Sequence, residues 1–280
     1  MGYEFLMRGD APFGDEVWAA LDGAVVTAAK QVLVGRRFLP FSGPLGAGVE
    51  VIPVDSLKET EGAGISVFGE VGAGTASISG RCWLQLPLLY KDFQVEWRDV
   101  EAQLHHNQPL DPGAAYAAGA AVARFEDQLV FNGSDAFNLP GLLSAPGRLT
   151  VKAGDMKKPG QPLKVISQAI EQLVSAGSFE PFALVLTPEL YTYLFSIHPE
   201  TGRLQYDLVR ERCQAGVFQC NAVPAAHGVV VSVAPHQLDL VVGQDIVTGY
   251  CGPERMNHVL RVMETAALRI RKPTAICTLE

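Results

Sequence analysis

The sequence predicts an α+β fold, and three observations support this prediction. Apolar residues repeat at helical spacing from Asp15 to Val34, they alternate from Leu260 to Ile270, and glycines punctuate residues 43–97. Helical and strand periods therefore coexist in one chain of 280 residues, of which 48% are hydrophobic. A chain of that length and composition has enough apolar residues for a large core or for two fused subdomains.

The first element is a predicted amphipathic helix over Asp15 to Val34. Asp15 is predicted to cap its start and Gly35 to end it. Arg36 and Arg37 follow directly, where positive charge favours the negative end of the helix dipole. By itself the pattern is typical of a helix that packs on a core. Its apolar stripe consists of Val17, Leu21, Ala24, Ala28 and Val32.

The next segment, residues 43–97, predicts extended hairpins. Short β-prone stretches, Val49 to Val54 and Ile65 to Val71, alternate with glycines. An arm with so few large side chains cannot build its own core, so we expect it to lie against a neighbouring subunit. An internal hairpin is the alternative. The glycines are Gly43, Gly46, Gly48, Gly62, Gly64, Gly69, Gly72, Gly74 and Gly80.

A strand and then a helix are predicted between residues 86 and 133. Leu86, Leu88, Tyr90, Phe93, Val95 and Trp97 suit a strand with one buried face. Asp111-Pro112 opens a helix that runs through Phe131 and stops at Asn132-Gly133. The alanine and glycine content of this helix lets other backbones come close.

Mixed α and β elements follow, after a candidate subdomain crossing at Gly154 to Pro162. A helix carries Leu163, Ile166, Ile170 and Leu173 at helical spacing before Gly177, and another helix starts at Thr187-Pro188. The predicted strands are Phe182 to Leu186, Gly228 to Val233, Leu238 to Val242 and a long closing strand from Leu260 to Ile270.

Composition excludes several classes of protein. A net charge of −8 disfavours binding to nucleic acid, because such binding needs Lys and Arg to neutralise phosphates. The start lacks the features of a signal peptide and no run is long enough to span a membrane, so we expect a cytoplasmic protein without a membrane partner. Five dispersed cysteines fit reduced thiols. Charged residues make up 19%, which is compatible with permanent subunit contacts.

Catalytic and metal-binding motifs are missing, so the sequence predicts that the chain is not an enzyme. Gly43 to Gly48 resembles a phosphate loop but has no following Gly-Lys-Ser/Thr, and no Gly-x-Ser-x-Gly elbow is present. His105 and His106 are predicted on an extended loop, where adjacent side chains point apart and cannot share one metal ion. A hydrolase remains the alternative, without a nucleophile and base to nominate.

Taken together, several stretches resemble the encapsulins, the shell proteins with the Hong Kong phage-type capsid fold. Their order and spacing, over nearly the whole chain, carry the resemblance. They are Phe5-Leu6, Leu33 to Phe38, Gly43 to Gly46, Lys91 to Asp99, Phe125 to Asp127, Phe131 to Gly133, Gly141 to Leu143, Pro181 to Leu186, Val242 to Asp245, Arg261 to Glu264 and the closing strand.

The resemblance implies a subunit that assembles with many copies of itself into an icosahedral shell. It also implies a domain organisation along the chain. The expected segments are a luminal helix and cargo groove at 1–42, an extended loop with adjoining strands at 43–99, a peripheral domain with a spine helix at 100–160, an axial domain at 161–250, and a closing strand that returns to the peripheral domain at 251–280.

Two sites are implied by the same resemblance. A groove on the luminal side would bind a short targeting peptide of a cargo protein, and a turn would surround the fivefold pore. Arg36 and Asp245 are expected to be free to pair with polar groups of the peptide. The groove residues are Ala29, Leu33, Arg36, Phe38, Asp245, Ile246 and Val247, and the pore residues are His198, Pro199, Glu200, Thr201 and Gly202.

The cargo expected from the resemblance is a ferritin-like protein that stores iron. Gly46 to Gly48, Arg255 to His258 and Ala275 to Glu280 are most similar to the myxobacterial iron-storing branch. The shell itself is expected to need no cofactor, and iron is expected with the cargo. The alternatives are a shell for a dye-decolourising peroxidase or other oxidative-stress cargo, and a phage-derived capsid protein, whose packaging of DNA the acidic composition disfavours.

Overall fold

The computed structural model describes residues 4–57 and 77–280, and it has the predicted mixture of helices and strands. The helices in these ranges are α1 Asp15–Val32, α2 Trp97–His106, α3 Gly113–Asn132, α4 Gln161–Ser175, α5 Pro188–Tyr193 and α6 Gln205–Arg212. The strands are β1 Phe41–Ser42, β2 Val51–Leu57, β3 Ile78–Gln85, β4 Leu88–Val95, β5 Gly133–Ser134, β6 Leu139–Pro140, β7 Leu149–Val151, β8 Phe182–Leu186, β9 Gly216–Gln219, β10 Gly228–Ser232, β11 Leu238–Glu254, β12 Asn257–Ile270 and β13 Ile276–Leu279.

One sheet has the strand order β1-β11-β12-β4 and is built around the long antiparallel pair of β11 and β12. The closing strand begins three residues earlier than predicted, at Asn257, and it ends at Ile270 as predicted. On the face predicted from alternation, Leu260, Val262, Glu264, Ala266 and Leu268 are buried, although one of them is a carboxylate. Thr265 and Ala267 on the opposite face are buried as well.

Helices α1 and α3 pack closely on each other, and α3 packs on β4 and β12. The close approach of α1 depends on small side chains along α3. A Cβ atom on Gly119 would lie 2.9 Å from the Cα of Val25 and 3.0 Å from its carbonyl oxygen. The expectation that alanine and glycine let another backbone come close is therefore confirmed at Gly119.

A second sheet has the order β7-β13-β10-β8-β9, and its central strands β8 and β10 are buried on both faces. Alternate residues face two different cores, as expected for the side-chain period of a strand. Ala183 and Val185 join the core beneath α1 and α3, whereas Leu184 and Leu186 join the core beneath α4 and α6. This sheet therefore connects the two halves of the molecule.

Strands from different predicted segments share each sheet. Strand β11 starts inside the predicted axial range 161–250 but pairs with β12 in the first sheet, and β13 from the range 251–280 joins β7 and β10 in the second. The domain boundaries themselves stay predictions.

Helix α1 starts where it was predicted but ends at Val32, two residues early. Gly14, and not Asp15 as predicted, occupies the N-cap position, and Leu33 leaves the helical conformation with a ψ of 123°. The early end has a long-range cause, because the buried Asp127 carboxylate accepts hydrogen bonds from the amides of Val34 and Gly35 at 2.9 Å. The Arg37 guanidinium donates to carbonyl oxygens in the last turn of α1, as the dipole argument expects.

The predicted strand over residues 86–97 is confirmed by β4, and Leu86, Phe93 and Val95 are buried as predicted, but the prediction was wrong for the residues between them and for the end of the strand. Leu89 is buried, whereas Leu88 and Tyr90 are about half exposed. Trp97 begins α2, so His105 and His106 lie on a helix rather than on an extended loop. Both imidazoles are exposed.

The arm is described in part, as the antiparallel pair of β2 and β3. The predicted strand Ile65 to Val71 and the glycines from Gly62 to Gly74 lie outside the described residues. Ile52, Val54 and Leu84 face the core, while Trp83 and Ile78 on β3 have exposed fractions of 66% and 53%. One face of this pair thus presents large apolar side chains to its surroundings.

An ion cluster joins the ends of β11 and β12. Asp239 accepts hydrogen bonds from Arg269 at 2.6 and 2.9 Å, from Arg271 at 2.9 Å and from Ser42 at 2.6 Å. Burial alone would raise the pKa of Asp239, but the bonds from Arg269 and Ser42 outweigh it and hold the pKa below its usual range. The stabilisation is therefore present at neutral pH and is lost as the pH falls below about 4.

Replacing Asp239 by alanine is expected to lower the free energy of unfolding by about 3 to 5 kcal/mol, because two arginines lose their buried counter-charge. The matched control is Glu211→Ala, which removes a carboxylate that pairs with Arg203 at the surface. Thermal unfolding of both variants measures the difference. Equal shifts of the two midpoints would contradict this account of the cluster.

Candidate functional site

A pocket of about 340 Å³ lies beside the last turns of α1, where this helix meets a bend in β11. We call it the groove pocket. Five of the seven predicted groove residues line it, although 209 positions separate Arg36 from Asp245 in the chain. The lining residues are Val26, Ala29, Lys30, Leu33, Arg36, Arg37, Asp245 and Ile246.

Two predicted groove residues lie elsewhere. Phe38 is buried in the main core, where its ring stands 5.7 Å from that of Phe218 and 6.4 Å from that of Phe131. The turn of 3-10 helix at Gly35–Arg37 directs it inward. Val247 pairs with Met263 inside the sheet and does not line the pocket. Including Phe38 and Val247 in the pocket lining was therefore wrong.

The floor of the groove pocket is aliphatic. Ala29 and Leu33 are buried against Ala123 of α3, and Ile246 packs on the same small cluster. Val26, one turn earlier on α1, is 43% exposed and extends the apolar surface. A floor of this kind binds aliphatic side chains, which leave water when they enter it.

Sequence reasoning missed Val26, Lys30 and Arg37. The first of these could have been found, because Val26, Ala29 and Leu33 follow the spacing of residues that share one helix face. Lys30 and Arg37 are exposed and place positive charge at the rim of the pocket.

Arg36 ties the wall of the pocket to the interior of the protein. Its Nε donates to Glu126 at 2.8 and 3.0 Å, one terminal nitrogen donates to Glu264 at 2.6 Å, and the other donates to Asp245 at 2.6 Å. Glu126 and Glu264 are fully buried, whereas the side chain of Asp245 is 53% exposed. These three carboxylates keep the pKa of Arg36 above its usual value against the effect of burial.

The expectation that Arg36 is free to pair with a peptide is therefore corrected. Its guanidinium already binds three carboxylates within the chain, one from each of α3, β11 and β12. Asp245 also accepts from the amide of Ile246 at 2.8 Å, through the same oxygen that binds Arg36. Within the described residues no hydrogen bond reaches its other carboxylate oxygen.

Burial governs the titration of the acidic groups beneath the pocket. It raises the pKa of Glu264 well above its usual value, and the nearby negative charge of Glu126 adds to the effect. It also raises the pKa of Asp127 to about 6, although the amides of Gly35 and Val34 oppose the shift. Protons are therefore held more firmly here than on surface carboxylates.

A larger pocket, of about 600 Å³, lies near Arg37 and Gln31 and also involves Asp127 and Cys220. Burial raises the pKa of the Cys220 thiol to about 11, so this sulfur is protonated at neutral pH and is a poor nucleophile. Side-chain amides form much of the remaining lining, unlike the aliphatic floor of the groove pocket. The amides belong to Gln31, Gln128, Gln219 and Asn221.

The predicted pore residues form one turn between α5 and α6. The amide of His198 donates to Arg203 at 2.8 Å and that of Gly202 donates to His198 at 3.0 Å, which closes the turn. Gly202 has a φ of +67°, in the left-handed region that glycine favours. Pro199, Glu200, Thr201 and Gly202 are exposed, so the turn projects from the surface.

Neither a membrane span nor a metal cluster is found in the part of the chain that the structure describes. No helix there is long and apolar enough to cross a bilayer. Within residues 4–57 and 77–280, no three His, Cys, Asp or Glu side chains are grouped so that they could hold a metal ion.

Comparisons with known proteins agree over almost the full chain. The family described as "Encapsulating protein for peroxidase" matches residues 3–267. The type 1 encapsulin shell protein EncA of Myxococcus xanthus is 42% identical over 277 residues, which cover 99% of this chain and 96% of the relative.

Solved structures show the same fold. The virus-like particle of Pyrococcus furiosus superposes with a TM-score of 0.77 at 24% identity, covering 94% of this chain and 99% of its own. The capsid of Myoviridae phage XM1 gives a TM-score of 0.60 at 15% identity, with coverage of 86% and 88%. The predicted phage-type capsid fold is thus confirmed, and this chain belongs to the encapsulin family.

Proposed function

We propose that the chain is the subunit of a self-assembling icosahedral shell that encloses a cargo protein. The observation that carries this proposal is the 42% identity, over nearly the whole length of both chains, to an encapsulin shell protein. The exposed apolar face of the β2–β3 pair supports it, because such surfaces mark contacts between proteins. A closed shell would bury this face between subunits.

Purified protein is expected to elute as a large particle and to appear hollow by negative-stain microscopy. Trp83→Glu is expected to shift most of the protein to small species, because the exposed indole lies on the apolar face of β3. Gln85→Glu, which adds the same charge two residues along this strand, is the matched control. Wild-type protein that elutes as a monomer or small oligomer would refute the shell proposal.

The groove pocket is proposed to bind the targeting peptide of the cargo through aliphatic side chains. Its apolar floor and its position between α1 and β11 support this role. We propose a ferritin-like, iron-storing cargo, since the similarity to a shell protein of Myxococcus xanthus agrees with the myxobacterial branch indicated by the sequence. Iron would then be the substrate of the cargo, and the shell would need no cofactor.

A peroxidase is the second candidate cargo, because the matching family is described as encapsulating one. The two cargoes differ in their chemistry. Shells purified from the native organism are expected to contain non-haem iron and a ferritin-like protein by mass spectrometry. Haem absorbance with a co-purified peroxidase would favour the alternative.

The exposed turn at residues 198–202 is proposed to border a pore through which small ions pass. Its projection between α5 and α6 supports this role, since it leaves the turn free to meet copies of itself around a symmetry axis. Replacing Pro199, Glu200 and Thr201 by one glycine is expected to speed entry of a small thiol-reactive dye into intact shells. Unchanged entry would argue against a pore at this turn.

We propose that the shell acts in the cytoplasm and carries no active site or nucleic acid of its own. The net charge of −8 supports the last point, as duplex binding depends on positive charge. Nucleic-acid absorbance that survives nuclease treatment of purified shells would favour a DNA-packaging capsid. Turnover that one substitution abolishes would favour a hydrolase.

A further inference from the structure

The buried carboxylates beneath Arg36 present a problem of charge. Glu126 and Glu264 are both fully buried and both bind one guanidinium, whose third partner is Asp245. Three ionised carboxylates around one arginine would leave a net negative charge in the interior, where uncompensated charge is costly.

The hydrogen bonds of the cluster show which carboxylate oxygen lacks a donor. Oε2 of Glu264 accepts from Arg36 at 2.6 Å. Oε1 of Glu264 is buried and accepts from no donor among the described residues. Glu126 and Glu264 also converge on the same terminal nitrogen of Arg36, at 2.7 and 2.6 Å, so the two carboxyl groups lie side by side. Two carboxyl groups can hydrogen-bond to each other only when one carries a proton, because ionised carboxylates have no donor.

We propose that Glu126 and Glu264 share one proton and act through Arg36 as positioning residues that fix Asp245 and Ile246 at the wall of the groove pocket. The shared proton removes one negative charge from the interior. The remaining charge then matches Arg36 more closely, which keeps the guanidinium directed at Asp245.

The residues that surround Glu126 and Glu264 are consistent with a shared proton. The adjoining residue on β4 is apolar, because Leu89 pairs with Glu264 in the sheet register. Among the described residues, Arg36 is the cation that binds Glu126 and Glu264. The neighbouring Arg37 donates instead to carbonyl oxygens at the end of α1. The charged groups around the pair are Arg36 and Arg37 from the turn after α1, Glu126 and Asp127 from α3, Asp245 from β11 and Glu264 from β12.

This inference rests on the proposed function of the groove in one respect, namely that the positioned wall serves a cargo peptide. If the shared proton is lost at alkaline pH, two buried carboxylates compete for Arg36, and its hold on Asp245 weakens. Cargo affinity should then fall at alkaline pH. The tests below need no cargo, so their failure is distinct from failure of the groove as a cargo site.

Infrared spectroscopy of the assembled protein tests the proton directly. At about pH 8 Asp127 is ionised, because its pKa of about 6 lies well below that value, and it does not contribute. We expect a carbonyl band of a protonated carboxyl group in the wild type and its loss in Glu264→Gln. Absence of the band from the wild type, or its persistence in the variant, would overturn the proposal.

Hydrogen exchange of the backbone at residues 244–247 tests the positioning. Glu264→Gln is expected to keep wild-type protection, because its amide can accept from Arg36 and donate to Glu126. Glu264→Leu should exchange about tenfold faster there, with β7 unchanged as an internal control. Corrected for intrinsic rates, wild-type protection should fall as the pH is raised into the alkaline range, while that of Glu264→Gln stays level.

Equal exchange in Glu264→Leu and wild type, or equal pH profiles in Glu264→Gln and wild type, would overturn the positioning role. Should Glu264→Leu not fold, the wild-type spectrum and the two remaining pH profiles still decide between the outcomes.

Discussion

Leu33→Asp is expected to empty the shell of cargo while leaving the shell itself assembled. Leu33 lies on the floor of the groove pocket and packs with Ala29 and Ala123. Burying an aliphatic anchor of the cargo peptide against it is worth about 1.5 to 3 kcal/mol, and a carboxylate at this position would also oppose entry of that anchor. The ratio of cargo to shell protein should therefore fall at least about tenfold.

The matched control is Leu33→Met, which keeps an apolar side chain of similar volume and should retain cargo. Cargo loading is measured by denaturing gel densitometry of purified particles, with microscopy to confirm that their size is unchanged. Full loading of intact Leu33→Asp particles would remove the groove pocket as the cargo site.

Gly119→Leu is expected to abolish soluble shells. The new Cβ would meet backbone atoms of Val25 at 2.9 and 3.0 Å, and backbone cannot move aside as a flexible side chain can. Separating α1 from α3 disrupts the core that includes Val25, Leu21 and Val122. We expect a loss of at least about 3 kcal/mol, the upper end for overpacked sites.

Gly23→Ala on α1 provides the control for this prediction. No atom lies within 4 Å of the position that its Cβ would take. Because alanine is the better helix former, the variant should be about 0.5 to 1 kcal/mol more stable. Soluble yield and thermal unfolding compare the two variants, and normal assembly of Gly119→Leu would contradict the close packing described for α1 and α3.

The local spacing of apolar residues was sufficient to predict the elements whose packing is uniform along their length. The start of the helix at Asp15, the helix around Ile166 and the long strand β12 were predicted in this way and are confirmed. Glu264 was assigned to the same face as Val262 and Ala266 because it stands at the alternate position between them, although its side chain is a carboxylate.

Features that depend on distant residues could not be predicted from local patterns. Helix α1 ends early because Asp127, 93 residues away from Val34, binds the amides that would continue it. The alternation through Trp97 does not show where the chain changes from β4 to α2, since apolar residues continue at both spacings.

The groove pocket was found through resemblance to a family and not through periodicity. The resemblance placed residues 245–246 beside α1, where they lie in the structure, but it did not show that Arg36 binds Glu126 and Glu264, which lie 90 and 228 positions away. Whether Phe38 faces the pocket or the core depends on the turn at Gly35–Arg37, which short-range patterns do not specify.

The strand order of the second sheet has a consequence for biosynthesis. Strand β7 pairs with β13 and with no other described strand, and β13 stands between β7 and β10. While a ribosome is still translating the residues before Ile276, Leu149 to Val151 have no pairing partner. The second sheet therefore cannot be completed before β13 has been synthesised, however early β7, β8 and β10 leave the ribosome.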